Sequence, residues 1–150
     1  MRALNPVMAL VAAMAIACTA PASKKTAGEK TGALPETKVE RFGMVTGLKP
    51  GQVVCYKQLH AAVWPAVKQK ITECNIRNYS IYLKEIDGEP YLFSYWEYVG
   101  TDFTADMKKM AADSTTQRWW KETAPTQLPL PDAAAKGETW SRMEEVFHQD

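Results

Sequence analysis

The sequence predicts an α+β fold whose elements follow the order strand, helix, strand, strand, helix, strand. Apolar residues recur at three- and four-residue spacing between Val53 and Ile71, which is typical of one face of a helix. Two segments rich in Tyr, Ile and Leu flank Asp87-Gly88, a dipeptide that favours a tight hairpin turn. The chain has 150 residues, of which 46% are hydrophobic, so it can form one domain with a buried core.

The first half of the folded region is predicted to contain one strand and an interrupted helix. Residues 40–48 form the strand, and Lys49-Pro50-Gly51 ends it. The helical stripe that follows contains Pro65, which lacks an amide hydrogen and clashes with the preceding turn of a helix. We therefore expect the helix to break there, with Pro65 opening a second helical segment.

The second half supplies the remaining elements. Residues 75–86 and 91–99 are the predicted hairpin strands, and neither is apolar on one face only. Both faces should therefore be covered, one by helices and the other by something else, such as a second subunit. Asp102 is a good N-cap for a helix to about residue 112, and 115–122 is predicted as a short helical piece. Three prolines then favour a loop before a last strand at 139–147. This βαββαβ order is the ferredoxin-like pattern, and two copies packed sheet to sheet would form a dimeric α/β barrel.

The first residues have the features of a targeting segment. Arg2 provides a positive end, and residues 7–16 form an apolar run too short to span a bilayer as a helix. The tripeptide AIA before Cys18 resembles a bacterial lipobox, although Leu is preferred at its first position. We interpret 1–17 as a signal peptide, 18–38 as a flexible tether and 39–150 as the domain. The protein is then exported, periplasmic or anchored to the membrane through a lipid on Cys18. Plain cleavage after residue 17 or 22 is the alternative.

Charge and composition exclude several classes of partner. The chain has 18 basic and 17 acidic residues, so its net charge of +1 gives no electrostatic reason to bind nucleic acid or an anionic membrane surface. The two histidines are far apart and no CxxC pair is present, so no metal site is expected. Phosphate-binding glycine loops and GxSxG elbows are also absent from the sequence. We expect no cofactor.

His60 is the candidate for chemistry because it occupies the apolar stripe of the first helix, where an apolar residue would serve packing. Tyr56 lies one turn earlier and shares its face. The alternative is that His60 is a core residue whose hydrogen bond to Tyr56 or Tyr79 offsets the cost of burial.

Trp119 and Trp120 are the second unusual feature. Consecutive helical residues point about 100° apart, so we expect one indole to pack in the core and the other to line a cleft. Indoles suit sugars because the C–H face of a pyranose stacks on an aromatic plane. The alternative is that both indoles fill a dimer interface.

Four segments, taken together, resemble one known family. Residues 56–65 (YKQLHAAVWP) match the Y-x-x-x-H-x-x-x-W-P motif of the L-rhamnose mutarotase family. Residues 78–82 (NYSIY), 117–121 (QRWWK) and 143–148 (MEEVFH) resemble its other blocks in the same order. The resemblance covers roughly residues 42–148, and four ordered blocks are more specific than any one of them.

The resemblance implies a homodimer that interconverts the α and β anomers of a 6-deoxy-hexose such as L-rhamnose without a cofactor. It implies that His60 is the catalytic proton donor and that the monosaccharide is contacted by Tyr56, Tyr79, Trp119 and Trp120. Two segments depart from the family pattern. Gln58-Leu59 replaces an Arg pair, and residues 127–132 (QLPLPD) replace Asn-Pro-Asp-Asn-Ser-Pro near the expected sugar hydroxyls.

Two other functions stay open on the sequence. One is a sugar-binding lipoprotein without turnover, which an assay of the purified protein would distinguish. The other is a cofactor-independent monooxygenase, because this fold hosts many activities. An apolar pocket, which Trp64, Trp96, Trp119 and Trp120 could line, would favour the monooxygenase, whereas several polar groups directed at a sugar would favour the isomerase.

Overall fold

The computed structural model describes residues 38–149. The predicted signal peptide, Cys18 and the tether up to residue 37 lie outside the described residues. Within the described part, no helix is both long and apolar enough to cross a membrane.

The described chain alternates strands and helices in the predicted order, with short additional elements near its end. The elements are β1 (Glu40–Leu48), α1 (Val53–Ala61), α2 (Pro65–Glu73), β2 (Ile76–Ile86), β3 (Glu89–Tyr98), α3 (Phe103–Ala112), α4 (Ser114–Thr123), a 3₁₀ turn (Ala124–Thr126), β4 (Gln127–Leu128), α5 (Pro131–Ala134) and β5 (Ser141–Met143).

One antiparallel sheet forms the scaffold, with the order β2-β3-β1-β4 and β5 paired to a different part of β1. The β2–β3 turn has positive φ angles at Asp87 (52°) and Gly88 (83°), as a two-residue type I′ turn requires. The predicted hairpin and the α+β, ferredoxin-like class are confirmed. Pro65 begins α2, and the Asp102 carboxylate caps α3 by accepting from the Ala105 amide at 2.9 Å.

The two faces of the sheet differ. Leu48 and Leu92 lie on the face that packs against the helices, where they form a buried cluster with Tyr56 of α1. The opposite face presents Val45 and Phe93, which are directly paired across β1 and β3. The helices and the cavity beneath them therefore occupy one side of the sheet only.

The last third of the chain departs from the predicted elements. The final strand was expected at residues 139–147 but covers only Ser141–Met143. In the observed register, a strand that began at residue 139 would place that residue opposite Gly47, which already pairs with β4. The region expected to be a proline loop contains the 3₁₀ turn, β4 and α5 instead. Residues 144–149 have no regular structure.

Candidate active site

A cavity of about 770 Å³ lies between the sheet and the helices. The structure brings together around it all five residues predicted to serve the site, which are Tyr56, His60, Tyr79, Trp119 and Trp120. They come from three elements that are distant in sequence: α1, β2 and α4. The fold therefore assembles one site from separate motifs.

His60 and Tyr56 form the centre of this group. They are one helical turn apart on α1, and their rings stack with centroids 4.0 Å apart and planes 24° apart. The Nδ1 atom of His60 lies 3.0 Å from the Tyr56 carbonyl oxygen. Because a carbonyl only accepts, Nδ1 is the protonated nitrogen of the pair. In the neutral ring, Nε2 is then left as a proton acceptor.

The surroundings favour the neutral form of His60. Burial lowers its pKa from the ordinary 6.5, and the hydrogen bond to the Tyr56 carbonyl opposes this effect only in part. At neutral pH the ring is thus largely uncharged and can accept a proton.

Two tyrosine hydroxyls remain protonated beside this base. Tyr56 is 4% exposed, and burial raises the pKa of its hydroxyl strongly, helped by the nearby Tyr79. The nearby Gln127 side chain acts on the Tyr56 pKa in the other direction. Burial of the hydroxyl raises the pKa of Tyr79 to about 12, although 43% of this residue is exposed. Both phenols can therefore donate hydrogen bonds at neutral pH.

The paired indoles have different environments. Trp119 is 6% exposed and meets the His60 ring edge-on, with centroids 5.4 Å apart. Its other edge-on neighbour is Trp64, at 5.5 Å. Trp120 is 43% exposed while still lining the cavity. As expected, one indole packs and the other presents an open surface.

The cavity also contains residues that the sequence did not single out as site residues. Gln127 was noted only as part of a departure from the family loop, and it is buried in the wall. Buried hydroxyls come from Ser94, Thr116 and Thr123. A polar residue at a helix-facing strand position such as Ser94 could have indicated a polar pocket. Gln127 had no such pattern, because its strand is two residues long.

Within residues 38–149, no group of three or more His, Cys, Asp or Glu side chains is placed to hold a metal ion.

The fold and the site together define a class of protein: a ferredoxin-like half-barrel whose cavity is lined by a histidine, two tyrosines and several tryptophans. The family model described as L-rhamnose mutarotase matches residues 41–149. The chain therefore belongs to the L-rhamnose mutarotase family.

Individual relatives agree with this assignment. The chain is 37% identical over 95 residues to the L-rhamnose mutarotase of Bacillus subtilis, covering 63% of this chain and 84% of that protein. It is 30% identical over 123 residues to the one from Phocaeicola vulgatus, covering 75% and 99%. The crystal structure of an L-rhamnose mutarotase from Formosa agariphila superposes with a TM-score of 0.55 at 28% identity, covering 74% of this chain and 99% of that one.

These relatives correct one prediction. The signal peptide and the lipidation of Cys18 are not supported, and the description of the chain as a lipoprotein is wrong by this comparison. The family match begins at residue 41, and 75% of this chain accounts for 99% of the Phocaeicola vulgatus relative. An apolar run after one basic residue is weak evidence for a signal peptide, and the comparison with the family provides no further evidence for one. The predicted export depended on that signal peptide, so we propose no location.

Proposed function

We propose that this protein interconverts the α and β anomers of L-rhamnose and that His60 is its acid/base residue. The observation that carries the proposal is the position of His60, whose Nδ1 is engaged by the Tyr56 carbonyl while the ring lines the cavity. Membership of the L-rhamnose mutarotase family supplies the reaction and the sugar.

The reaction opens the pyranose ring and closes it again on the other face of the carbonyl group. Opening removes a proton from the anomeric hydroxyl, breaks the bond between the anomeric carbon and the ring oxygen, and delivers a proton to that oxygen. Neutral His60 accepts the first proton at Nε2 and, as the imidazolium, returns a proton when the ring closes. The protonated Tyr56 and Tyr79 hydroxyls are the neighbouring donors for the ring oxygen, and the donor takes this proton back when the open-chain hydroxyl attacks the carbonyl carbon.

The tryptophans position the sugar for this exchange. Trp120 offers an open indole surface for the C–H face of the sugar, while Trp119 packs against His60 and holds its ring in place. Because water already catalyses mutarotation slowly, orientation of the sugar together with His60 and a tyrosine donor is sufficient.

The polar groups beside His60 favour the isomerase over a monooxygenase. The walls of the cavity are mainly apolar, but Tyr56, Tyr79, Ser94 and Gln127 add hydroxyl and amide groups that an aromatic substrate would not need. A sugar has hydroxyls on most of its carbons and can use such groups.

We also propose that the protein is a homodimer that pairs the sheet faces directed away from the helices. On this face, Phe93 lies between Val45 on β1 and Tyr82 on β2, and Tyr82 is 61% exposed. A row of apolar and aromatic side chains on an open sheet is typical of an interface.

The activity is tested by measuring anomer exchange in L-rhamnose with NMR magnetisation transfer, using the full chain and a panel that includes L-fucose. We expect exchange above the buffer rate, fastest for L-rhamnose. Exchange at the buffer rate would disprove the proposal. If saturation-transfer signals still showed bound sugar, the protein would be a sugar-binding protein.

A further inference from the structure

Trp64 is a half-buried aromatic residue that is connected to His60 through one intervening ring. Its indole meets the indole of Trp119 edge-on, with centroids 5.5 Å apart and planes 69° apart. Trp119 in turn meets the imidazole of His60 edge-on, with centroids 5.4 Å apart and planes 68° apart. Both contacts have a geometry that aromatic pairs prefer. Trp64 is therefore the outer member of a row of three rings that ends at His60.

The backbone of Trp64 is fixed by the break between α1 and α2. A residue that precedes proline is restricted to extended conformations, and Trp64 has φ −58° and ψ 134° in front of Pro65. Its carbonyl oxygen accepts from the amides of Val67 at 3.0 Å and Lys68 at 3.2 Å, in the first turn of α2. The proline and the start of the helix thus limit the positions that the Trp64 indole can occupy.

The indole of Trp64 is also held from α4. The guanidinium carbon of Arg118 lies 5.8 Å from the centroid of the Trp64 ring, within the range of a cation–π contact. Arg118 and Trp119 are consecutive residues of α4, so this helix contacts Trp64 through a charged and an aromatic side chain. Trp64 therefore joins the corner between α1 and α2 to the helix that carries both tryptophans of the site.

Trp119 lines two cavities. One is the cavity of about 770 Å³ that His60 also lines. The other has a volume of about 270 Å³ and is lined by Trp64, Trp119 and side chains between residues 55 and 62. A side chain beside an unfilled space has fewer packing contacts to keep it in place. The contact with Trp64 is therefore important for keeping the Trp119 indole against His60.

We propose that Trp64 is a positioning residue: it supports Trp119 at the border of the smaller cavity and so keeps the Trp119 indole against His60, which fixes the imidazole where the sugar binds. This inference rests on the proposed mutarotase function. Trp64 acts on His60 through Trp119. Because a displacement of about 1 Å at a catalytic group can lower the rate about 100-fold, such support can control kcat.

The test is the variant Trp64→Ala, studied in the full chain. Loss of the indole lets Trp119 move into the space that Trp64 leaves, so water reaches His60 and the imidazole loses its fixed orientation. We expect kcat for L-rhamnose to fall about tenfold or more, with KM changed less than kcat. Trp64→Phe keeps an aromatic ring against Trp119, and we expect it to retain most of the wild-type kcat.

The titration of His60 provides a second measurement that does not depend on activity. Burial lowers the pKa of His60 in the wild type. The Tyr56 and Trp119 rings face the imidazole, and the hydroxyls of Tyr56 and Tyr79 stay protonated near neutral pH. Partial loss of burial in Trp64→Ala should therefore raise the pKa of His60 toward the ordinary 6.5. Proton NMR of the imidazole measures this shift, with His60→Gln used to assign the signal.

Charged residues near the site are kept the same in this comparison. The walls of the larger cavity also contain Glu138 and Arg142, and Trp64→Ala leaves both in place. Arg118 lies over the Trp64 ring and loses this contact in the variant. Repeating the titration in the Arg118→Gln background removes its charge, and we expect the same upward shift of the His60 pKa when Trp64→Ala is added.

Cys74→Ala is the matched control for a general loss of stability. Cys74 is 0% exposed and packs in a core cluster with Ile76 and Met110. Its substitution should lower Tm while kcat and the titration of His60 stay at their wild-type values. Thermal melts show which variants are folded. Trp64→Leu, which removes the aromatic ring but fills more space than alanine, decides the question if Trp64→Ala does not fold.

The proposal is overturned if a folded Trp64→Ala or Trp64→Leu protein exchanges anomers at the wild-type rate, or if its His60 titrates as in the wild type. Exchange by the wild type at the buffer rate would instead disprove the mutarotase function. The titration would still test the support of His60 in that case, so the two failures are distinguishable.

Discussion

The ring of His60 stacks on the ring of Tyr56 at 4.0 Å between centroids, while its Nδ1 atom lies 3.0 Å from the carbonyl oxygen of the same residue. Tyr56 thus fixes the orientation of the imidazole plane through its ring and the tautomer of the imidazole through its carbonyl oxygen. The hydrogen bond occupies the carbonyl oxygen that lies four residues before His60, a partner that helical geometry supplies without a second element. The predictions below test what this arrangement does.

Replacing His60 should remove most of the catalysis and little of the fold. His60→Gln keeps a polar side chain but cannot shuttle a proton near neutral pH, so we expect anomer exchange to fall roughly 10²- to 10⁴-fold, down to the floor set by water. NMR exchange and a thermal melt on one sample check this. His148→Gln, which changes the exposed histidine near the C-terminus, is the matched control. Normal turnover by His60→Gln would mean that His60 only packs.

Activity and stability should share a pH dependence that originates at His60. Burial lowers its pKa in the folded chain, so its contribution to stability is fully present above the unfolded pKa of about 6.5 and is lost as pH falls through the folded pKa. Wild-type kcat should fall over the same range, as the base becomes protonated. Melts of wild type and His60→Gln at decreasing pH measure the first effect. Identical pH dependence in the two proteins would contradict it.

Substitution of Trp120 should weaken sugar binding, whereas substitution of Trp119 should lower the stability of the fold. Trp120→Ala removes an open indole, and we expect sugar binding to weaken by about 1–3 kcal/mol with a nearly unchanged melt. Trp119→Ala removes a buried indole and should cost about 3–5 kcal/mol of unfolding free energy. Titration by NMR and denaturant unfolding measure the two quantities. An unchanged Kd in Trp120→Ala would exclude it from the sugar-binding wall.

The open sheet face should hold the dimer together. Light scattering of the wild type at micromolar concentration should give twice the mass of one chain, and Tyr82→Lys should reduce it to one, because a lysine would be desolvated at the interface. Val54→Lys replaces an apolar residue that is 66% exposed on α1 and should leave the mass unchanged. A well-folded wild-type monomer would disprove the dimer.

Local sequence patterns were sufficient for the elements that depend on nearby residues. β1 has the predicted bounds, Asp87-Gly88 forms the hairpin turn, and Pro65 separates two helices. The pairing of Tyr56 with His60 also follows from spacing, since residues four apart meet on a helix. These features require only backbone sterics and helical periodicity.

Long-range strand pairing decided the remaining features of the fold, because it depends on which segments, distant in sequence, lie next to each other in the sheet. β4 pairs with the end of β1 and places Gln127 in the wall of the cavity that Tyr56 also lines. The different burial of Trp119 and Trp120 depends in the same way on which side of α4 meets α1. Sequence alone determined that a histidine and a tyrosine share a helix face. Only the tertiary structure decided that Gln127 lies in the wall of the same cavity, because a two-residue strand has no periodicity and its position is set by the strand it pairs with.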